Sequence, residues 1–205
     1  MRCIYCDSEI NKINFKQLLF KDDCLCCNCR RKLKVNRRII KLNNLKVEIF
    51  FNYDGIFKDM LIQYKECFDE ALSNVFMYSI SNYIRIKYHG YRILYVPSGE
   101  EKFRKRGFNH LELMFKDIGL KKVKGLYMKE QLIQEGKASN ERKKMVDNYV
   151  YSGPHIHKLL IVDDVLTTGS SILGVYKAIA PKADKIKAIS LSSKETAFIS
   201  QNKCV

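Results

Sequence analysis

The stretch LLIVDDVLTTGSSI, residues 159–172, constrains this chain more than any other. Leu159, Leu160, Ile161 and Val162 read as a central strand, buried on both faces in the manner of a parallel sheet. Asp163 and Asp164 then emerge at its carboxyl end, where open parallel sheets bind their ligands. Thr167, Thr168, Gly169, Ser170 and Ser171 follow as a tight loop before SSILGVYKAIA takes up helical spacing. Backbone N–H groups at a helix start have no intrahelical acceptor, and hydroxyls beside them add donors, so this bend suits a phosphate. Gly169 lets the backbone approach an anion with no Cβ in the way. A hydrophobic strand ending in acid also fits a nucleoside triphosphatase, but GxxxxGK[ST] occurs nowhere in the chain, which removes that reading.

The elements around this stretch alternate. VEIFFNY reads as a strand, and the segment after it, from Asp54 to Tyr88, repeats Phe57, Leu61, Tyr64, Phe68, Leu72 and Phe76 at helical spacing, with Asp54 placed to cap its start. YRILYVP reads as a buried strand, LELMFKDI as a short helix and KIKAISLSS as a last strand, while residues 121–157 are polar and mixed. Repeated β and α units predict an α/β fold, a largely parallel sheet covered by helices.

The first 46 residues differ: they hold six of the eight cysteines and no long periodic segment, so they are expected to form a small module separate from residues 47–205. Cys3 and Cys6 make one CxxC pair, and CLCCNC supplies a second. Zinc takes four thiolates in a tetrahedron, and each CxxC turn presents two of them, so a closed structural site is predicted. Spacing alone leaves two choices for the second pair, Cys24 with Cys27 or Cys26 with Cys29. The opening MRCIYCDSEINK lacks the apolar region of a secretory signal, which predicts a reducing cytoplasm and free thiols. No stretch approaches the ~18 apolar residues of a membrane span, so no insertion is expected.

Net charge is +15, and its distribution is uneven. Eight basic residues, Arg30, Arg31, Lys32, Lys34, Arg37, Arg38, Lys41 and Lys46, occur between 30 and 46 with no acid among them. A second cluster includes Arg104, Lys105 and Arg106. Both could track the phosphates of a single strand, since Lys and Arg gain affinity by releasing counterions.

The residues at 159–172 resemble the phosphoribosyl pyrophosphate (PRPP) signature of type I phosphoribosyltransferases: hydrophobic strand, two acids, two variable residues, then TTGxS. The four-cysteine module, CCNCRRKL read as CxxCRxxL, and VPSGEEKFRKRGFN likened to VPxPxxxxRxxxRGFNQ together resemble the ComF late-competence family over essentially the whole chain. The resemblance implies a parallel sheet of the type I phosphoribosyltransferase kind with helices on both faces, preceded by a zinc module liganded by Cys3, Cys6, Cys26 and Cys29. It implies that Asp163 and Asp164 hold the ribose hydroxyls, that Thr167, Thr168, Gly169, Ser170 and Ser171 cradle the 5′-phosphate, and that Val96, Pro97, Ser98 and Gly99 form the pyrophosphate loop. Arg104, Lys105 and Arg106 would face pyrophosphate or DNA, and Arg30, Arg31, Lys32, Lys34, Arg37 and Arg38 nucleic acid. Mg²⁺ with PRPP, single-stranded DNA and a competence helicase are the implied cofactor and partners. Lys65 in QYK is similar to the family's helix-borne lysine, and Glu141 and Arg142 to its ERxxN stretch. Gly99 stands where the family has proline, and His110 where it has glutamine. Two alternatives share the same residues: a metabolic phosphoribosyltransferase with an unidentified acceptor, and a PRPP sensor without catalysis.

Overall fold

A computed structural model describes residues 2–10, 24–67, 69–97, 107, 109–128 and 148–194 of the chain. Ser98, Gly99, Arg104, Lys105, Arg106, Glu141 and Arg142 lie outside the described residues. In chain order the elements are α1 (Cys27–Lys32), β1 (Arg38–Leu42), β2 (Leu45–Asn52), α2 (Gly55–Glu66), α3 (Ser73–Met77), α4 (Ser81–Lys87), β3 (Arg92–Tyr95), α5 (His110–Met114), β4 (Lys121–Lys122), β5 (Leu126–Met128), β6 (Tyr149–Tyr151), β7 (Ile156–Leu166), α6 (Ser170–Ile179) and β8 (Ala183–Ser193).

The main sheet has the order β1-β2-β8-β7-β3-β4, and β5 and β6 form a separate antiparallel pair. Strands β2, β8, β7, β3 and β4 run parallel, while β1 folds back antiparallel on β2 as the edge. β7 is central, and its alternation sorts the core into two layers. Leu160 and Val162 face a layer built from α2, α3, α4 and α5. Leu159 and Ile161 face the opposite layer, with Ile172, Val175 and Ile179 of α6 and Tyr149 and Tyr151 of β6. Side chains two apart share a face, so four consecutive apolar residues are what a strand buried on both sides requires. Among the described residues no helix is long and apolar enough to cross a membrane.

Three sequence expectations are refined. The apolar segment from Asp54 to Tyr88 is not continuous: it breaks after Glu66 and again between Met77 and Ser81, giving three helices that wrap one face of the sheet. Apolar spacing marks the buried face of each piece but not the points where the chain must turn to follow the sheet's twist. Asp54 does occupy the cap position of α2, yet its side chain makes no capping hydrogen bond. β1, in the region read as lacking periodic structure, pairs with β2 through a turn at Asn43, whose φ of 53° is an asparagine-tolerant left-handed conformation. The edge strand of the sheet therefore precedes residue 46.

One buried charge locks β2 to the helical layer. Glu48 is 4% exposed. It accepts from Tyr83 Oη at 2.6 Å, Tyr88 Oη at 2.7 Å and Lys87 Nζ at 2.8 Å, with Arg37 Nε 3.7 Å away. Burial works to raise its carboxyl, but Lys87 and the two phenols outweigh it and hold the group below its ordinary value. Because the folded value is depressed, this contribution is present above the ordinary glutamate range and is lost as pH falls through the folded value. Replacing Glu48 with Gln is expected to cost about 1–3 kcal/mol at neutral pH and to flatten the stability profile in the acid limb, read by thermal melts from neutral pH downward.

Candidate functional site

Two centres are built on this frame, the first at the amino-terminal module. Cys3, Cys6, Cys26 and Cys29 place their sulfurs within 4.8 Å of one another. Cys6 Sγ and Cys26 Sγ are 3.6 Å apart, close to the ~3.8 Å edge of a tetrahedron with zinc–sulfur bonds of about 2.3 Å. The donor chemistry and spacing fit zinc. Cys26 caps α1, its sulfur accepting from Cys29 N at 3.5 Å. That backbone N–H is the main reason the Cys26 thiol is pulled down to about 6, while burial pushes the Cys29 thiol up. One ligand is thus disposed to be thiolate, whereas Cys29 must give up its proton to a metal. Cys24 and Cys27 are not in the cluster: Cys27 is exposed and Cys24 half-buried. The ambiguity left by CLCCNC is resolved because helix α1 starts at Cys27 and turns Cys29 inward onto Cys26.

The second centre lies at the carboxyl edge of the sheet. β7 runs on through Asp163 and Asp164 to Leu166, further than the apolar run suggests. β3 stops pairing with it at Val162, where Val96 N donates to Val162 O at 2.9 Å, so both aspartates project past that neighbour. Adjacent strand residues point to opposite faces. Asp164, 7% exposed, enters the helical layer, where its Oδ2 meets Lys65 Nζ from α2 and His110 Nε2 from α5. Burial favours its protonated form, but Lys65 and then His110 overcome this and keep the carboxyl well below the usual carboxylate range. Tyr64, next to Lys65, donates to His110 O at 2.7 Å and so fixes the start of α5 as well. Asn109 caps that helix, accepting from Glu112 N at 3.2 Å.

Asp163 faces the other way, toward α6. Its Oδ1 accepts from Asp164 N at 2.9 Å. Burial first, and repulsion from Asp164 second, push its carboxyl up to about 7. Tyr149 stands beside it: burial and then the Asp163 charge raise its phenol, while a hydrogen bond with the Ser171 hydroxyl pulls it down. Asp163, Tyr149 and Ser171 therefore share one neighbourhood. The bend itself has Thr167 and Thr168 exposed and Gly169 buried, with φ 77° at Gly169, which immediately precedes α6. That φ is one that side chains rarely adopt, and a Cβ there would also meet Leu42 Cδ1 at 2.6 Å and make that side chain shift. Thr168 Oγ1 and Ser170 Oγ are 2.8 Å apart. Val96 and Pro97, the described half of the expected pyrophosphate loop, follow β3 on the same edge of the sheet.

Sequence reasoning noted His110 only as standing where the family has glutamine, and did not single out Tyr149. His110 is the first residue of α5, and its ring is also held at Asp164. Its place directly after RGFN was the available signal; Tyr149 had none, because β6 sits in the polar region where no strand was expected.

The basic strip divides into two groups. Arg30 stacks over Tyr78 with its Cζ 4.4 Å from the ring centre and reaches Val75 O at 3.3 Å. Arg38 bridges Asn52 Oδ1 and Ser193 Oγ, each at 2.7 Å, and Arg37 lies over the Tyr83 ring. Arg31, Lys32 and Lys34 are exposed instead. They line a groove of about 1120 Å³ that includes Tyr5, Asn36, Asn52 and Asp54 and reaches the carboxyl end of β2.

No family model matches the chain. It is similar to the Competence protein ComFC of Streptococcus pneumoniae (strain ATCC BAA-255 / R6), with 26% identity over 219 residues, covering 93% of this chain and 99% of that protein. Among solved structures it is similar to a hypoxanthine phosphoribosyltransferase from Staphylococcus aureus, with 12% identity and a TM-score of 0.42, over 62% of this chain and 66% of that one. An adenine phosphoribosyltransferase aligns with 15% identity and a TM-score of 0.42, over 82% and 91% of the two chains.

The geometry of the cysteine cluster makes a direct prediction. Cys29→Ser is expected to lose tightly held zinc, measured by elemental analysis after a mild chelator, whereas Cys27→Ser retains it.

Proposed function

We propose that this chain is a ComF-type competence protein that binds PRPP with Mg²⁺ at the carboxyl edge of its sheet and handles single-stranded DNA in the cytoplasm. The observation that carries the reading is the split aspartate pair: Asp163 turned toward the hydroxyl-rich bend, Asp164 turned into a buried cationic clamp. Similarity to ComFC over nearly the full length supports the competence role. The TTGSS bend at the start of α6 supports a phosphate ligand.

In this reading the N–H groups at the start of α6 and the hydroxyls of Thr167, Thr168, Ser170 and Ser171 take the 5′-phosphate, Ser170 N exchanging its contact with Thr168 Oγ1 for the ligand. Asp163, on the same face as Ser171, accepts the ribose hydroxyls. Lys65 and His110 keep Asp164 ionised and fixed in the helical layer, so Asp163, when ionised, is the carboxylate left to face a developing cationic sugar. Val96 and Pro97 lead into the loop for pyrophosphate, with Arg104, Lys105 and Arg106 beyond it. The hard oxygens of Asp163 and Asp164 suit Mg²⁺, held through water or substrate, and the ion when bound supplies charge neutralisation for the pyrophosphate. Protein groups contribute position and electrostatics.

The elevated carboxyl of Asp163 gives a sign. Below about 7 it holds a proton and is a poor partner for a magnesium-bound sugar phosphate; above, it is an anion. Affinity for Mg·PRPP by calorimetry is expected to rise as pH increases from about 6 to about 8. Asp163→Asn should bind more weakly and lose most of that slope. The difference between the two proteins removes the titration of PRPP itself. A wild-type profile as flat as the variant's would count against the assignment. Heat of binding without pyrophosphate release would mark a sensor; release with a defined acceptor would mark a metabolic transferase.

For DNA, the exposed trio is the informative target, because Arg30, Arg37 and Arg38 have internal partners whose loss would disturb the fold. Neutralising Arg31, Lys32 and Lys34 together is expected to weaken single-strand binding and to lower the slope of log affinity against log salt by about 2, at roughly 0.7 per phosphate contact. An unchanged slope would remove this face from the DNA path. A competence helicase is the protein partner this role calls for.

A further inference from the structure

We infer that His155, His157 and Asp184 form a second metal site, for a borderline divalent ion of the zinc, nickel or copper class. The residues sit at the amino end of the β7–β8 pair, the edge opposite the aspartate centre. His157 is the second residue of β7 and His155 immediately precedes the strand; both rings meet the Asp184 carboxylate. Asp184, the second residue of β8, reaches them from the neighbouring strand, whose pairing begins at Ile156 with Ala183. Its carboxylate divides between the rings: Oδ1 lies 3.1 Å from His155 Nε2, and Oδ2 2.8 Å from His157 Nδ1. One donor atom from each residue falls within 4.8 Å of the others.

Each oxygen now pairs with one ring nitrogen as an ion-pair contact, and the 4.8 Å bound on the donor set is short enough for it to close on an ion with bonds of about 2.0–2.1 Å. The rings are 5.8 Å apart between centres and inclined at 71°, so they do not stack and block a shared point between them. Both strands run 11 residues in parallel register, which fixes the backbone carrying His157 and Asp184, while His155 immediately precedes β7. Imidazole nitrogens select transition ions over Mg²⁺ or Ca²⁺, and two imidazoles with one carboxylate is a ligand set that zinc accepts. His157 is 91% exposed and the other two about half, so at least one coordination position stays open to water or to an outside donor. Asp163 lies six positions beyond His157 along β7, about 20 Å of extended chain. The ion would therefore act apart from any phosphate chemistry, and the inference does not rest on the proposed function.

The site is tested on the full chain without a histidine tag, with the four-cysteine cluster first filled by one equivalent of zinc, and then titrated with Co²⁺. The expected result is one further equivalent bound, with visible d–d bands and no thiolate charge-transfer band in the near ultraviolet. His157→Ala and Asp184→Asn, both at exposed positions, should each abolish that equivalent while the zinc already bound remains. The assignment is overturned if no further cobalt binds. It is overturned equally if the extra equivalent survives both substitutions, or if it brings thiolate bands, which would place it on cysteines outside the cluster.

Discussion

The ion cluster of Asp164 with Lys65 and His110 is the interaction on which the rest of the arrangement depends. A carboxylate in the helical layer without cations would be costly by several kcal/mol. Its partners come from α2 and α5, elements separated in sequence by α3, α4 and β3. For the charges to meet, α2 must lie across the carboxyl edge of β7 and α5 must begin there. Tyr64 and Lys65 act as neighbours in this, one holding the backbone of His110 and the other the carboxylate. The same geometry leaves Asp163 as the member of the pair whose proton is easily gained or lost near neutrality.

Much of this was readable from residues alone, for identifiable reasons. The apolar run at 159–162 announced a doubly covered strand because burial on both faces removes the alternation that a half-exposed strand would show. The acid pair falls near the carboxyl end of β7 and the small-residue bend just before α6, as strand-then-helix spacing predicts. The cysteine spacing predicted a closed tetrad, and the CxxCRxxL register favoured the pair that the structure gathers. What escaped detection depends on distant contacts. β1, β5 and β6 are short strands stabilised by pairing with other segments, and nothing local distinguishes them from loops. The partners of Arg30, Arg37 and Arg38 are 45, 11 and 155 residues away, so a run that looks uniformly solvent-facing turned out to be half structural.

Two adjacent carboxylates on one strand cannot do the same thing. Strand alternation sends one to each face, and the environments then separate their proton affinities, one held down by cations and the other pushed up by burial and by its neighbour. This is a division of labour that a motif written as two acids in a row conceals. It also gives His110 a physical role: an imidazole, unlike an amide, adds a second positive charge to the clamp when protonated.

The cysteine module is not a bead on a string. Cys3, Leu25, Cys26, Cys29 and Leu33 belong to the same buried cluster as Phe57, Tyr64 and Phe76, and Tyr5 donates to Asp59 of α2 at 3.0 Å. Such a knuckle cannot be transplanted between scaffolds as an independent cassette, because excising it would strip apolar cover from the helices that seat Lys65.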